Sequence, residues 1–280
     1  MIKEKKARKK EIRQASTVGF VEEPPRQSSD AVVPYLLSGD KAPGPVQINQ
    51  ALLDARLKAF FETDSIAGEC VRVLRTKIQL KNLQERPRTI LITSPQPGDG
   101  KTTLATALAF YMAQGARGEV VLIDADLRAP SVHKSLGLKP RQGLCEYLQG
   151  DKALAPYIVK TSVPGLSFLS AGKPPSNPSE VLSSAKMQQL LQGLKCGNSD
   201  RYVIIDAAPA HLVSETPFLA SLVDGVVMVV RSGKTEKETL LQAIENVGRD
   251  KILGLVFNAS SEPSKSYRDY YRYYGKESQK

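Results

Sequence analysis

Thr89-Ile90-Leu91-Ile92-Thr93-Ser94-Pro95-Gln96-Pro97-Gly98-Asp99-Gly100-Lys101-Thr102-Thr103 decides how the rest of the chain is read. Ile90 to Ile92 is an apolar run rich in β-branched residues, the pattern of a buried strand. It breaks into a Pro/Gly turn, and from Leu104 to Ala113 the spacing becomes helical. Strand, glycine loop and helix in that order make a phosphate cradle when the loop ends as Gly100-Lys101-Thr102 does. Gly98 and Gly100 let backbone N–H groups close on phosphate oxygens with no Cβ in the way. The following helix aims its positive end at the same oxygens. Lys101 supplies a point charge for β- and γ-phosphates, and Thr102 a hydroxyl for Mg²⁺. The common pattern has glycine six residues before the lysine, where Pro95 stands here.

Outward from this loop, Glu119 to Arg128 holds a second apolar run that delivers Asp124 and Asp126 at its end. Continuous apolar runs are what parallel strands buried on both faces look like. Ligands bind at the carboxyl ends of such strands. Asp124 and Asp126 alternate with Ala125, so in extended chain both point the same way, suited to Mg²⁺ and to proton abstraction. Tyr202 to Asp206 is a third such strand, with Asp206 in the place of a second metal-side carboxylate. Pro174 to Leu194 reads as a Pro-rich loop and then a helix. A strand over Gly225 to Arg231, a helix over Lys237 to Val247 and a strand over Ile252 to Phe257, followed by Asn258, complete the alternation. The expected fold is α/β, a mostly parallel sheet with helices on both faces.

Ahead of the loop, Ile48, Leu52, Leu53, Leu57, Phe60 and Phe61 predict one helix, and a second over Ser65 to Leu83, capped by Ser65. Glu69, Arg72 and Arg75 lie three apart on one slowly drifting face of the second helix. On spacing alone they read as solvated charges with an intrahelical ion pair.

The chain has 280 residues, 41% of them hydrophobic, enough for one large domain with extensions. Its three cysteines, Cys70, Cys145 and Cys196, are far apart, which suggests free thiols in a reducing compartment. No run approaches the ~18 apolar residues of a membrane span, and no secretory signal is present. The net charge is +10. Residues 1–20 carry seven Lys/Arg against two Glu, and residues 263–280 carry five against two acids. Basic ends suit an anionic membrane surface, nucleic acid or plain solvation. The expected division is a disordered basic, Pro-rich tail over 1–47, a phosphate-loop domain over 48–262, and a tail over 263–280. That last tail packs Tyr267, Tyr270, Tyr271, Tyr273 and Tyr274 among Arg268, Arg272 and Lys276.

Together these pieces resemble the bacterial tyrosine kinases, the phosphate-loop autokinases of capsule and exopolysaccharide export, from about Ser65 to the end. Ser94 to Thr102 looks like that family's first loop. Asp124-Ala125-Asp126-Leu127-Arg128 looks like its Asp-x-Asp-x-Arg motif, the most specific of the set. Glu69, Arg72 and Arg75 look like its Glu-x-x-Arg-x-x-Arg oligomerisation motif, and Pro174 to Ser184 like its Pro-rich segment. The resemblance implies a phosphate-loop NTPase fold of the MinD/ParA type and a tyrosine autokinase using ATP and Mg²⁺. It implies nucleotide contacts from Gln96, Gly98, Asp99, Gly100, Lys101, Thr102 and Thr103, with Asn258 at the adenine edge. Thr102, Asp126 and Asp206 would hold the metal; Lys101, Asp124, Asp126 and Arg128 would be catalytic, Asp124 as the base. The tail tyrosines would be phosphoacceptors for neighbours in a homo-oligomeric ring. A separately encoded membrane activator of the chain-length-regulator type and a tyrosine phosphatase would be partners, at the cytoplasmic face of the cell membrane. Nucleic acid is disfavoured. After Asp206 the family usually has Thr-Pro-Pro, whereas this chain has Ala207-Ala208-Pro209. The competing readings are a MinD/ParA-type ATPase switch, which would want a second lysine at Gln96, and a catalytically weak ATP-binding scaffold of the export complex.

Overall fold

Five apolar runs become adjacent parallel strands of one sheet, the last of them, Ile252–Asn258, at its edge. The computed structural model describes residues 43–62, 65–80, 86–115, 119–196 and 200–260. In chain order its elements are α1 (Ala55–Phe61), α2 (Ile66–Leu80), β1 (Thr89–Thr93), α3 (Lys101–Gly115), β2 (Val120–Asp124), α4 (Val132–Ser135) and α5 (Leu144–Gln149). There follow β3 (Ile158–Lys160), β4 (Leu166–Leu169), α6 (Pro178–Leu182), α7 (Ala185–Cys196), β5 (Tyr202–Asp206), α8 (Glu215–Leu222), β6 (Gly225–Arg231), α9 (Lys237–Val247) and β7 (Ile252–Asn258). The sheet order is β3-β4-β2-β5-β1-β6-β7, and every pairing is parallel except β3 with β4. Among the described residues no helix is long and apolar enough to cross a membrane.

Alternation along the strands sorts the core into two layers. Leu91, Val121, Ile123, Val203 and Ile205 face the layer covered by α5 to α9. Ile90, Ile92, Val120, Leu122 and Ile204 face the other, covered by α1 to α4. Asp124 and Asp206 continue the even-numbered rows of β2 and β5, so both carboxylates leave the sheet on the α3 side. The register places Asp124 directly beside Asp206. Helix α3 is apolar nearly all round because it is sandwiched between the sheet and α1 and α2.

Several expectations need correction. The helix expected from Ile48 is broken: residues 50–52 form a 3₁₀ turn, and Asp54 caps a separate α1 by accepting from the Arg56 N–H. The helix expected up to Leu194 is two helices with a break at Ser183 and Ser184. Ser65 does cap α2, its hydroxyl accepting from the Gly68 N–H at 3.1 Å. Val46, inside the expected N-terminal tail, pairs in parallel with Thr161 beyond β3. Residues 1–42 and the tyrosine tail over 263–280 lie outside the described residues.

Candidate nucleotide and phosphoryl-transfer site

The centre of the site is the Lys101 side chain, the first residue of α3, buried over the ends of β2 and β5. Its ammonium donates to Asp126 Oδ2 at 2.7 Å and lies 3.9 Å from Asp206 Oδ1. Burial alone would lower its pKa; Asp206, Asp126 and Asp124 outweigh that and hold it above its ordinary value. Thr102 donates its hydroxyl to Asp206 Oδ2 at 2.7 Å, with the Ser131 hydroxyl 3.0 Å away.

The two strand-end acids are both 0% exposed. Burial and the neighbouring Asp206 push Asp124 up to about 8, although the Val132 N–H and Lys101 pull the other way. Burial raises Asp206 to about 6 against the opposing pull of Lys101 and Thr102. Asp124 Oδ2 accepts from the Ser131 and Val132 N–H groups, while Asp126 Oδ1 accepts from the Ala129 N–H. One turn, residues 126–132, is therefore stitched to both carboxylates. Oδ1 of Asp124 and Oδ1 of Asp206 are buried with no hydrogen-bond partner. The unpaired Asp206 oxygen, on a carboxylate that also bonds the Thr102 hydroxyl, is what a hard cation would satisfy, while the unpaired Asp124 oxygen can take a proton. No three His, Cys, Asp or Glu side chains among the described residues form a metal cage by themselves. Mg²⁺ takes one or two carboxylates and completes its shell with water and phosphates, and Asp206 bonded to the Thr102 hydroxyl offers oxygens of that kind.

The loop itself is pinned from three sides. Asp99 is buried, and its side chain accepts from the Gln96 N–H at 3.3 Å and from the Thr235 hydroxyl at 3.1 Å. Its carboxylate thus shapes the loop from within. Arg231 donates to the Gly98 carbonyl at 3.0 Å, and Asn258 donates to the Asp99 carbonyl at 2.8 Å. The Asn258 amide donates once to the loop and accepts once from the Ala259 N–H, which brings it against the cradle with one N–H and one lone pair still to place. Thr103 sits half-buried on the first turn of α3. Gly98 and Gly100 have φ of +84° and +101°, a region that side chains disfavour. A Cβ on Gly100 would also collide with Asn258 Nδ2. Gly100→Ala is expected to weaken ATP binding at least about tenfold, the scale of a strained backbone site. Calorimetric titration against wild type measures this directly.

The remaining assignments divide. Arg128 is held by Glu215 and Ser179. Glu69 and Arg72 form the expected intrahelical pair at 2.6 Å. Arg75 departs from the solvated reading: it donates to the Tyr111 carbonyl at 2.8 Å, docking α2 on the carboxyl end of α3. Ala207 and Ala208 are buried, and the Ala208 carbonyl accepts from the Thr93 and Thr216 hydroxyls at 2.7 and 2.8 Å. Two threonines therefore fix the turn after Asp206, although the family's own hydroxyl is absent there. Ser131, Glu215, Arg231 and Thr235 were not anticipated. Arg231 and Thr235 had one legible signal, their place at the carboxyl end of a strand.

Residues 90–278 match the family described as the CobQ/CobB/MinD/ParA nucleotide binding domain. Tyrosine-protein kinase YwqD of Bacillus subtilis strain 168 is 36% identical over 215 residues, 76% of this chain and 90% of that one. Tyrosine-protein kinase ptk of Acinetobacter johnsonii is also 36% identical over 208 residues, 73% of this chain but 28% of that longer protein. The solved kinase domain of Escherichia coli tyrosine kinase ETK superposes with a TM-score of 0.66 at 28% identity, over 76% of this chain and 85% of that one. With a phosphate loop, the Asp-x-Asp-x-Arg turn and Asp206 converging on one lysine, and relatives of this similarity, the chain belongs to the bacterial tyrosine-protein kinases of the CobQ/CobB/MinD/ParA nucleotide-binding class.

Proposed function

We propose that this kinase transfers the γ-phosphoryl group of Mg·ATP to tyrosines of the 267–274 cluster on a neighbouring copy, and thereby regulates exopolysaccharide polymerisation and export. The observation that carries the reading is the convergence of Asp124, Asp126 and Asp206 on Lys101 and Thr102 at the mouth of a phosphate loop. Phosphoryl transfer needs little covalent help from the protein; it needs positioning and charge neutralisation. Lys101 and the loop amides hold the phosphates. Thr102, Asp206 and Asp126 would hold Mg²⁺. When bound, that ion would supply positive charge against the phosphates.

In the reaction the tyrosine oxygen forms a bond to the γ-phosphorus as the bond to the β-bridging oxygen breaks, and the phenolic proton passes to Asp124. Burial and Asp206 raise the Asp124 carboxyl toward the phenol's range, so in its ionised form it is a stronger proton acceptor than an ordinary carboxylate. Arg75 would support a ring by docking α2 on α3, with Glu69 and Arg72 paired on the same helix to meet a neighbour. The activator is a membrane protein of the chain-length-regulator type, which holds the ring at the inner membrane face, and a tyrosine phosphatase resets it. These partners rest on the resemblance.

The test is mass spectrometry of the full chain after incubation with Mg·ATP and the activator's cytoplasmic segment, beside Lys101→Met. Phosphate on Tyr267 to Tyr274 that vanishes in the variant is the expected result. ATP binding with an unmodified tail would favour the scaffold reading.

A further inference from the structure

We infer that the first turn of α8 is the bracket that fixes the spacing of the catalytic loops, with Glu215 a positioning residue acting through Arg128. This rests on the kinase reading above. Glu215 is 1% exposed, a carboxylate on the first residue of α8. Arg128 meets it with a fork: Nε donates to Oε1 at 2.6 Å and Nη2 to Oε2 at 3.3 Å. The Ser179 hydroxyl donates to Oε2 at 2.7 Å, accepts from Arg128 Nη2 at 3.3 Å and accepts from the Ser214 hydroxyl at 3.2 Å.

The pair is asymmetric. The Arg128 side chain is 48% exposed and would be at ease in water, whereas the Glu215 side chain, 2% exposed, would not tolerate losing its cation. Arg128 is thus tied down by the needs of its partner. The next residue of α8, Thr216, holds the Ala208 carbonyl two residues beyond Asp206. Arg128 stands two residues beyond Asp126. One helical turn therefore grips the loop after β2 with one side chain and the loop after β5 with the next. The loops so gripped carry Asp126 and Asp206, the acids on either side of Lys101. The phosphate loop is pinned independently, by Arg231, Thr235 and Asn258. Loosening the α8 bracket should therefore disturb the acids and leave the phosphate cradle intact.

The experiment compares Glu215→Gln, Arg128→Met and the double variant in the full chain, reading kcat for tyrosine phosphorylation and affinity for ATP. Glu215→Gln is expected to lower kcat about tenfold, with ATP affinity within about threefold of wild type. In the Arg128→Met background the same change should cost less than about twofold, because the two residues act as one unit. A Glu215→Gln kcat within twofold of wild type overturns the inference. So do losses that multiply in the double variant, or an affinity that falls along with kcat. If Glu215→Gln does not fold, Ser179→Ala removes one bond from the carboxylate and leaves the ion pair. There kcat should fall about threefold with affinity unchanged, and no fall would be equally fatal. Lys101→Met separates the two levels: if it still phosphorylates tyrosine, the kinase reading of this site fails, whatever Glu215 does.

Discussion

Lys101→Met lowers tyrosine phosphorylation by about a thousandfold in the expected result, the scale of removing a preorganised charge from a developing anionic centre. It also destabilises the fold, which is less obvious for a residue at a ligand site. Lys101 bonds Asp126 at 2.7 Å, lies 3.9 Å from Asp206 and is held charged by both together with Asp124. Methionine fills a similar volume but leaves those acids without a counter-charge. Breaking a buried ion pair from one side typically costs about 3–5 kcal/mol. Part of that is avoidable, because the acids can take up protons instead of remaining charged. The loss in stability should therefore be larger at pH 8 than at pH 6. Urea unfolding of both proteins at the two pH values, without nucleotide, measures it. A stability difference that does not change with pH would mean the acids do not depend on Lys101, and activity near wild type would remove this residue from the mechanism.

Asp124→Asn should act in the opposite direction on stability while still disabling the enzyme. The carboxyl is buried and raised to about 8, against about 3.9 in an unfolded chain. Between these values the unfolded chain binds fewer protons than the folded one, so stability contributed by this group falls as pH rises from about 4 to about 8. Below that window the acid is neutral in both states and costs nothing. Above it the full cost of burying the anion is present. Asparagine keeps an oxygen for the Ser131 and Val132 N–H groups and carries no charge. The variant should gain about 1–3 kcal/mol at pH 8, little at pH 5, and lose about a hundredfold in phosphorylation rate as the proton acceptor disappears. Thermal unfolding of the protein without nucleotide across this pH range gives the first quantity. Equal stability of the two proteins at pH 8 would show that Asp124 is not an energetic burden.

The parts of this site that were legible in the chain were those encoded locally. Ile90 to Ile92, Val120 to Ile123 and Tyr202 to Ile205 are continuous apolar runs, and a parallel sheet buried on both faces needs such runs. Asp124 and Asp206 follow directly from where those runs stop. Glu215 was not legible, because a glutamate opening a helix is ordinary until Arg128, 87 positions away, is seen against it. The contact of Arg75 was not legible for the same reason: helical spacing gives the face of a residue, while the Tyr111 carbonyl it meets is on another helix. The Leu53–Asp54 break was missed because apolar periodicity outweighed a single capping residue. The short β3 and β4 lie beyond the reach of periodicity, and their pairing is set by tertiary contact.

The described chain enters at one rim of the sheet, where Val46 pairs beyond β3, and ends at the other, with β7. Six strand spacings separate the outer strands, about 29 Å. The molecule therefore has a front and a back along the direction in which its strands are stacked. Copies placed rim to rim would set Val46 of one beside β7 of the next. Any such row is directional: every junction is alike, and each copy gives to one neighbour and receives from the other.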